Sequence, residues 1–323
     1  MNTYKNPFIP ERADPFVTKG DSCYYFTASY PAYGAVDKGY DRIILRKSET
    51  VAGLAEAEEK VIWKAHESGI MARHIWAPEI HKIGGVWYAF FAAGNKDDIW
   101  HIRPYLLKCK GNDPYEDEWQ EMGIMQASDG DDTSFTSFSL DMTHFEHKGK
   151  HYLIWAEILP DSSLFMAEIN PENPQKLITK PILLTKPEYD WEKVRFRVNE
   201  GAAVLKSEDK IIVFFSASGT GSEYCMGMVY MDSDKDPMVK ENWTKVSSPV
   251  LSTEDLQDES GPGHNSFVYD EDGRLLLVYH ARPMSHLTKE CGSWCEESLY
   301  DPCRHARIRF VTFDENNLPI IER

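Results

Sequence analysis

Apolar and polar positions along this chain fall into one layout that recurs. In VNEGAAVLKSEDKIIVFFSAS, residues 198–218, a polar residue precedes a short apolar run. A polar turn at Glu208 and Asp209 follows, and then a strand rich in β-branched and aromatic residues. The pattern predicts a β-hairpin. The same layout stands in RADPFVTKGDSCYYFTAS (12–29), WAPEIHKIGGVWYAFFAAG (76–94), SLDMTHFEHKGKHYLIWAE (139–157) and GPGHNSFVYDEDGRLLLVYHAR (261–282).

The turn residues Gly20, Gly84, Gly149, Asp209 and Gly273 mark these units at steps of 64, 65, 60 and 64 residues. Such a period is too long for a leucine-rich or ankyrin repeat and suits one four-stranded propeller blade. Five units account for all 323 residues, so the expected fold is all-β, a five-bladed β-propeller forming a single domain over residues 1–323. Within it, Tyr24–Ala28 is a strand, RIILRKSE is another, and Val51–Lys60 is a short helical turn. Pro104–Cys109 and Trp119–Met122 are the outer strands of the second unit. The alternating segment His305–Phe313 either completes the fifth blade or closes the ring against the first.

Composition narrows the partners. With 35 basic against 52 acidic residues, the net charge of −17 repels nucleic acid and anionic membranes and leaves neutral or cationic small molecules. The 9 Trp, 16 Tyr and 15 Phe suit strand packing and also a surface that stacks on sugar rings. The N-terminus, MNTYKNPFIPERADP, has no apolar leader core, and no run of 18 apolar residues occurs. As given, the chain reads as soluble and cytoplasmic, or as secreted if a leader has been removed. Six cysteines are too scattered for a disulfide framework. Cys291, Cys295 and Cys303 cluster near His286 and His305, but their C-x3-C-x7-C spacing matches none of the usual zinc patterns, so reduced thiols in a loop rank ahead of a structural zinc. Residues 126–136 look like a calcium loop but lack its terminal glutamate, and read as a solvated loop.

The inner strands of a propeller run in one direction along its axis, so residues at their starts gather at one mouth. Asp14 before Pro15, Trp76, Asp141, Glu200 and His264 hold that position in the successive units. Hairpin geometry returns Glu157, the Ser218–Glu223 loop and Arg282 toward the same opening. Carboxylates a few ångströms apart cannot all ionise cheaply, so three of them either bind a cation or keep their pKa values apart. Acid/base work is the favoured reading. The reaction class that most directly needs a raised-pKa acid opposite an ionised base is glycoside hydrolysis, and acids on different blades suit the wider spacing of the inverting mechanism.

The motifs Arg-Ala-Asp-Pro (12–15), Trp-Ala-Pro-Glu (76–79), Ser-Leu-Asp (139–141), Asn-Glu-Gly (199–201) and Gly-Pro-Gly-His-Asn (261–265), in this order across the whole chain, resemble glycoside hydrolase family 43. That resemblance implies a five-bladed propeller acting on arabinose- and xylose-containing polymers. Asp14 would be the general base, Glu200 the general acid, and Asp141 the group that raises and orients Glu200. His264 would lie on the axis and hold water or a metal ion, often calcium, while the chemistry itself needs no cofactor. The wording around these sites is closest to the family's exo-acting α-L-arabinofuranosidases, with Trp76 stacking on a sugar and Glu223 and Arg304 fixing its hydroxyls. The expected partner is then an arabinose-containing oligo- or polysaccharide. A β-xylosidase or bifunctional enzyme is the alternative, although Leu-Asp-Met stands here where those enzymes more often have Ile-Asp-Pro. A non-catalytic interaction propeller is less favoured, because the polar residue changes from unit to unit.

Overall fold

The second strand of each unit is apolar at almost every position, and the reason is that both of its faces are covered. The computed structural model describes residues 4–32, 39–286 and 298–323. Its strands form five antiparallel sheets in chain order. The first sheet holds β1 (Ala13–Lys19), β2 (Tyr24–Ser29), β3 (Arg42–Ser48) and β4 (Lys60–Lys64). The second holds β5 (Arg73–Ile83), β6 (Val86–Gly94), β7 (Arg103–Cys109) and β8 (Trp119–Ile124). The third holds β9 (Ser139–His147), β10 (Lys150–Ile158), β11 (Ser162–Asn170) and β12 (Asn173–Leu177), with β13 (Ile182–Thr185) also on β11. β14 (Asn199–Lys206), β15 (Lys210–Ala217), β16 (Cys225–Asp232) and β17 (Thr244–Lys245) make the fourth. β18 (Glu259–Tyr269), β19 (Leu275–Pro283), β20 (His305–Phe313) and β21 (Pro319–Ile321) make the fifth. The expected helical turn is the short segment Ala52–Ala55.

Among the described residues the buried apolar side chains fall into clusters that sit between neighbouring blades. On β15, Ile211, Val213 and Phe215 pack toward the third blade while Ile212 and Phe214 pack toward the fifth. β6 divides in the same way, with Ala89 and Phe91 toward the first blade and Tyr88 and Phe90 toward the third. The alternation of period two is therefore present, but both of its phases are apolar. Closure between the fifth and first blades uses the same chemistry, with Leu276, Val278 and Ile308 against Val17, Phe26 and Ile44.

β20 answers both possibilities left open by the sequence. It lies in the fifth sheet, and residues before β1 cover its remaining edge. The Phe8 N–H donates to the Ala306 carbonyl at 2.8 Å, and the Ala306 N–H donates to Ile9 at 3.0 Å. Asn6 adds a side-chain pair to the backbone of Ile308, both bonds at 2.9 Å.

Each inner strand breaks its register in its first half, once in β1, β9 and β14 and twice in β5 and β18. A residue in the left-handed conformation stands at each break: Asp14 (φ 55°), Asp141 (φ 55°) and Gly201 (φ 57°) at the single ones, His74 (φ 49°) and Gly261 (φ 62°) at the first break of β5 and β18, and Ala77 (φ 45°) and His264 (φ 42°) at the second. At Asp14, Ala77, Gly201 and His264 the bulge takes the N–H out of the ladder, and the neighbouring blade receives it. Asp14 donates to His280 Nδ1 (3.1 Å), Ala77 to Ser29 Oγ (2.8 Å), Gly201 to Asp141 Oδ2 (2.9 Å) and His264 to Ser216 Oγ (2.7 Å). Each of these bonds runs to the preceding blade in the ring.

Gly201 is the position where this geometry tolerates least. A Cβ there would lie 3.1 Å from His264 Nδ1 and 3.3 Å from Ser216 Oγ, on a backbone already left-handed. Gly201→Ala should lose about 1–3 kcal/mol of stability, read from the urea midpoint at unchanged m. An unaltered midpoint would show that the bulge tolerates a side chain and that this close approach costs nothing.

Candidate active site

Because the bulges align, so do the side chains on them. Register places Ala13, Trp76, Leu140, Glu200 and Gly263 at one level, opposite Ser29, Ala92, Ala156, Ser216 and His280. Asp14, Ala77, Asp141, Gly201 and His264 come one residue later. Glu200 is thus level with Trp76 and Leu140 rather than with the two aspartates, and this one-residue offset differs from the common register expected from turn spacing. Two residues beyond each bulge stand Phe16, Glu79, Thr143, Ala203 and Ser266, which line a second cavity of about 450 Å³. The axis is therefore layered, with Asp14, Asp141 and Glu200 grouped at one end.

That end opens into a cavity of about 760 Å³ lined by Asp14, Asp141, Glu200, Trp76, His264 and Arg304, among others. All three acids are buried or nearly so. Asp14 Oδ2 accepts the Ser29 hydroxyl at 2.5 Å, and its Oδ1 lies 3.5 Å from His264 Nδ1, 3.4 Å from His280 Nδ1 and 3.7 Å from Arg304. Burial works to raise the Asp14 carboxyl, but His264, His280 and Arg304 outweigh it and hold the group far below the usual carboxylate range. Burial lowers His280 to about 4, so its ring is neutral at pH 7 and Nδ1 is free to accept the Asp14 N–H.

Glu200 goes the other way. Burial first, and then the Asp14 charge, raise it to about 7, against the pull of a hydrogen bond donated by Tyr224 at 2.9 Å. Asp141 is also pushed well up, by burial and then by the charges of Glu200 and Asp14, while the Gly201 N–H favours its ionised form. At neutral pH the outcome is an ionised Asp14 facing a carboxyl pair, Glu200 and Asp141, that retains a proton. An acid and a base in one water-accessible cavity can protonate a leaving group on one side and activate water on the other.

The other expected site residues divide. Trp76 is buried against His74, the rings stacked at 4.2 Å, and meets Tyr40 edge-on at 5.7 Å. Arg304 donates to the Tyr40 hydroxyl (2.8 Å) and to the Leu299 carbonyl (3.0 Å). The indole N–H of Trp76 and the Nε of Arg304 are buried without a partner among the described residues. Glu223 does not line the cavity. It folds back on Gly219 and Gly221, where an added Cβ would fall within 2.6 and 2.3 Å of its carboxylate. The next residue, Tyr224, is the one that reaches Glu200.

Of the hairpin-end residues, Ser218 lines the cavity, whereas Glu157 and Arg282 do not. Glu157 is fully buried and accepts N–H groups from Phe135, Ser137 and the Trp155 indole, which pins the loop before β9. Arg282 lies 3.5 Å from Asp301. Sequence reasoning missed Trp100, Phe138, Phe196 and Tyr300 on the cavity wall. Trp100 and Phe196, about half exposed, sit on connecting segments where hydropathy gives no signal. Tyr300 immediately precedes Asp301-Pro302, four residues before Arg304.

His264 Nδ1 lies within 3.5 Å of Asp14 and 3.8 Å of Asp141. These side chains do not close into a group of three donors within 4.8 Å of one another, so protein atoms alone make no metal cage there. Among the described residues such a group forms beside the cavity, from His286, Asp301 and Cys303. Cys291 and Cys295 lie outside the described residues. No described helix is long and apolar enough to cross a membrane.

The comparisons with known proteins agree with this geometry. The chain is 44% identical to the extracellular exo-α-(1→5)-L-arabinofuranosidase of Streptomyces chartreusis over 86% of this chain and 82% of that protein. It is 40% identical to the enzyme of the same description from Streptomyces avermitilis over 98% of this chain, which spans 63% of that relative's length. The crystal structure of an α-L-arabinofuranosidase from Lactobacillus brevis superposes with a TM-score of 0.85 at 39% identity, over 98% of this chain and 95% of that one. The profile of Glycosyl hydrolases family 43 matches residues 4–319, and the chain belongs to that family.

Proposed function

We propose that the protein is an inverting exo-α-L-arabinofuranosidase that releases L-arabinofuranose from the non-reducing ends of arabinan or arabino-oligosaccharides. The observation behind this reading is the opposite titration of Asp14 and Glu200 within one cavity. Family membership supplies the hydrolase, and the relatives supply the sugar. Because two relatives are named for the α-(1→5) linkage, linear α-1,5-arabino-oligosaccharides are the first substrates to try.

In this mechanism Asp14, kept ionised, takes a proton from the water that attacks the anomeric carbon. Glu200, kept protonated by burial, gives its proton to the departing glycosidic oxygen. Asp141 holds the Gly201 N–H and so fixes the backbone that bears Glu200, while its carboxyl restrains Glu200 from ionising. Trp76 and Arg304 stand on the cavity wall, where the Trp76 ring flanks the furanose and the Arg304 guanidinium takes a sugar hydroxyl. Trp100 and Phe196 extend an apolar rim toward the next residue of the chain. No cofactor takes part. An ion at His264, calcium included, would rest on that ring and on water, and no step passes through it.

Proton NMR of the first product formed from an α-1,5-arabino-oligosaccharide should show β-L-arabinofuranose before mutarotation. Initial release of the α anomer would overturn the base assignment of Asp14. Glu200→Gln should lower kcat by about 10²–10⁴-fold on the oligosaccharide, and much less on an aryl arabinofuranoside, whose leaving group needs no proton. Equal losses on both would remove Glu200 from the acid role. A paired assay on aryl xylopyranoside separates the alternatives, since a β-xylosidase would favour the xyloside and a bifunctional enzyme would turn over both sugars comparably.

Activity requires protonated Glu200, so kcat/KM should fall as pH rises through about 7. Tyr224 donates to the carboxylate and favours its charged form, so removing that donor raises the pKa. In Tyr224→Phe the alkaline limb should therefore move to higher pH. A limb that stays in place or moves down would show that Glu200 does not set it.

A further inference from the structure

Beside the cavity the chain brings together three donors that the acid chemistry does not use. The turn Met284–His286 follows β19, and residues 298–304 lead into β20. His286 Nδ1 lies 2.6 Å from Asp301 Oδ2, and the Cys303 N–H donates to Asp301 Oδ1 at 2.8 Å. The imidazole nitrogen, a carboxylate oxygen and the Cys303 sulfur all lie within 4.8 Å of one another. His286 and Asp301 are buried, and Cys303 is half-buried. The remaining described cysteines, Cys23, Cys109 and Cys225, are instead packed in the apolar clusters between blades.

We propose that His286, Asp301 and Cys303 form a zinc site that clamps the wall of the active-site cavity. One thiolate, one imidazole and one carboxylate are a donor set suited to zinc rather than to calcium or magnesium. Bond lengths of about 2.0–2.3 Å put tetrahedral donors roughly 3.3–3.8 Å apart. The His286 and Asp301 atoms, now 2.6 Å apart, separate by about 1 Å to reach that spacing, and the ion displaces to solvent both the proton they share and the thiol proton of Cys303. With one carboxylate and one thiolate the zinc centre is neutral. Arg282, 3.5 Å from Asp301 Oδ2, remains a neighbour on the outside.

The clamp has a consequence for the cavity. Residues between the ligands and just beyond them build one wall: the Leu299 carbonyl accepts from Tyr40 at 2.5 Å, Tyr300 meets His74 Nε2 at 3.3 Å, and Arg304 faces Asp14. An ion tying residues 301 and 303 to the end of β19 holds that wall in place whichever pentoside is cut.

The test uses the full chain, stripped with a chelator, reloaded with zinc chloride and passed through gel filtration before elemental analysis. Wild type should retain one zinc per chain, and Cys303→Ser and His286→Gln should each bind about tenfold or more weakly. Reloading should raise the melting temperature of wild type and leave both variants unchanged, with far-ultraviolet circular dichroism confirming that they fold. Cobalt in place of zinc should give wild type a thiolate-to-cobalt charge-transfer band in the near ultraviolet, absent from Cys303→Ser. Wild type without retained zinc or without that band, or zinc held equally by wild type and both variants, overturns the assignment. The cobalt spectrum of wild type decides the matter even if a variant does not fold.

Discussion

The left-handed bulge near the start of every inner strand is the feature on which the rest of the molecule depends. A residue with positive φ costs on the order of 1 kcal/mol or more unless it is glycine, and Asp and His are among the side chains that bear it best. In return the bulge turns a backbone N–H away from its own sheet, where it would be buried without a partner. The preceding blade supplies the acceptor: Ser29, Asp141, Ser216 or His280. Blade-to-blade hydrogen bonding and presentation of the functional side chain are thus one event. The catalytic layer cannot loosen without loosening the ring.

The same backbone device yields opposite chemistry according to what surrounds it. Asp14 and Asp141 share a φ of 55° and equivalent places on their strands, yet one is held far below the usual carboxylate range and the other well above it. Asp14 stands among His264, His280 and Arg304, whereas Asp141, although 3.8 Å from His264, meets the charges of Glu200, Asp14 and Glu79. Burial is common to both and would raise both, so the neighbours decide the sign. Placing Arg304 and His280 beside Asp14, and Glu200 beside Asp141, separates a base from an acid in a chain whose net charge is −17.

Much of this was legible in the chain itself, for a physical reason. Strands packed on both faces must be apolar at successive positions, so IIVFFSA and WYAFFAA announce blades, and the near-equal spacing of turns announces their number. The acids stand out because each interrupts such a pattern at its start. What could not be read was register. A bulge inserts one residue without marking the sequence, so counting back from the turns put Glu200 level with Asp14 and Asp141, one residue away from its true place beside Trp76 and Leu140. The same one-residue ambiguity separates Glu223, turned back on two glycines, from Tyr224, which reaches Glu200. Glu157 and Arg282 illustrate a different limit. Strand ends do return to the active face, but a buried charged group there is claimed by nearby backbone or by a counter-ion before it can reach the cavity.

The division of protons between the acids is the claim that everything else serves, and it can be observed without substrate. Carbon-13 NMR of aspartate and glutamate carboxyls, assigned with Asp14→Asn and Glu200→Gln, reads each group's ionisation directly. The account predicts that Asp14 stays ionised across about pH 5–9 while Glu200 titrates at about 7. Asp14 titrating at or above Glu200, or both groups titrating together near the ordinary value of about 4, would contradict it.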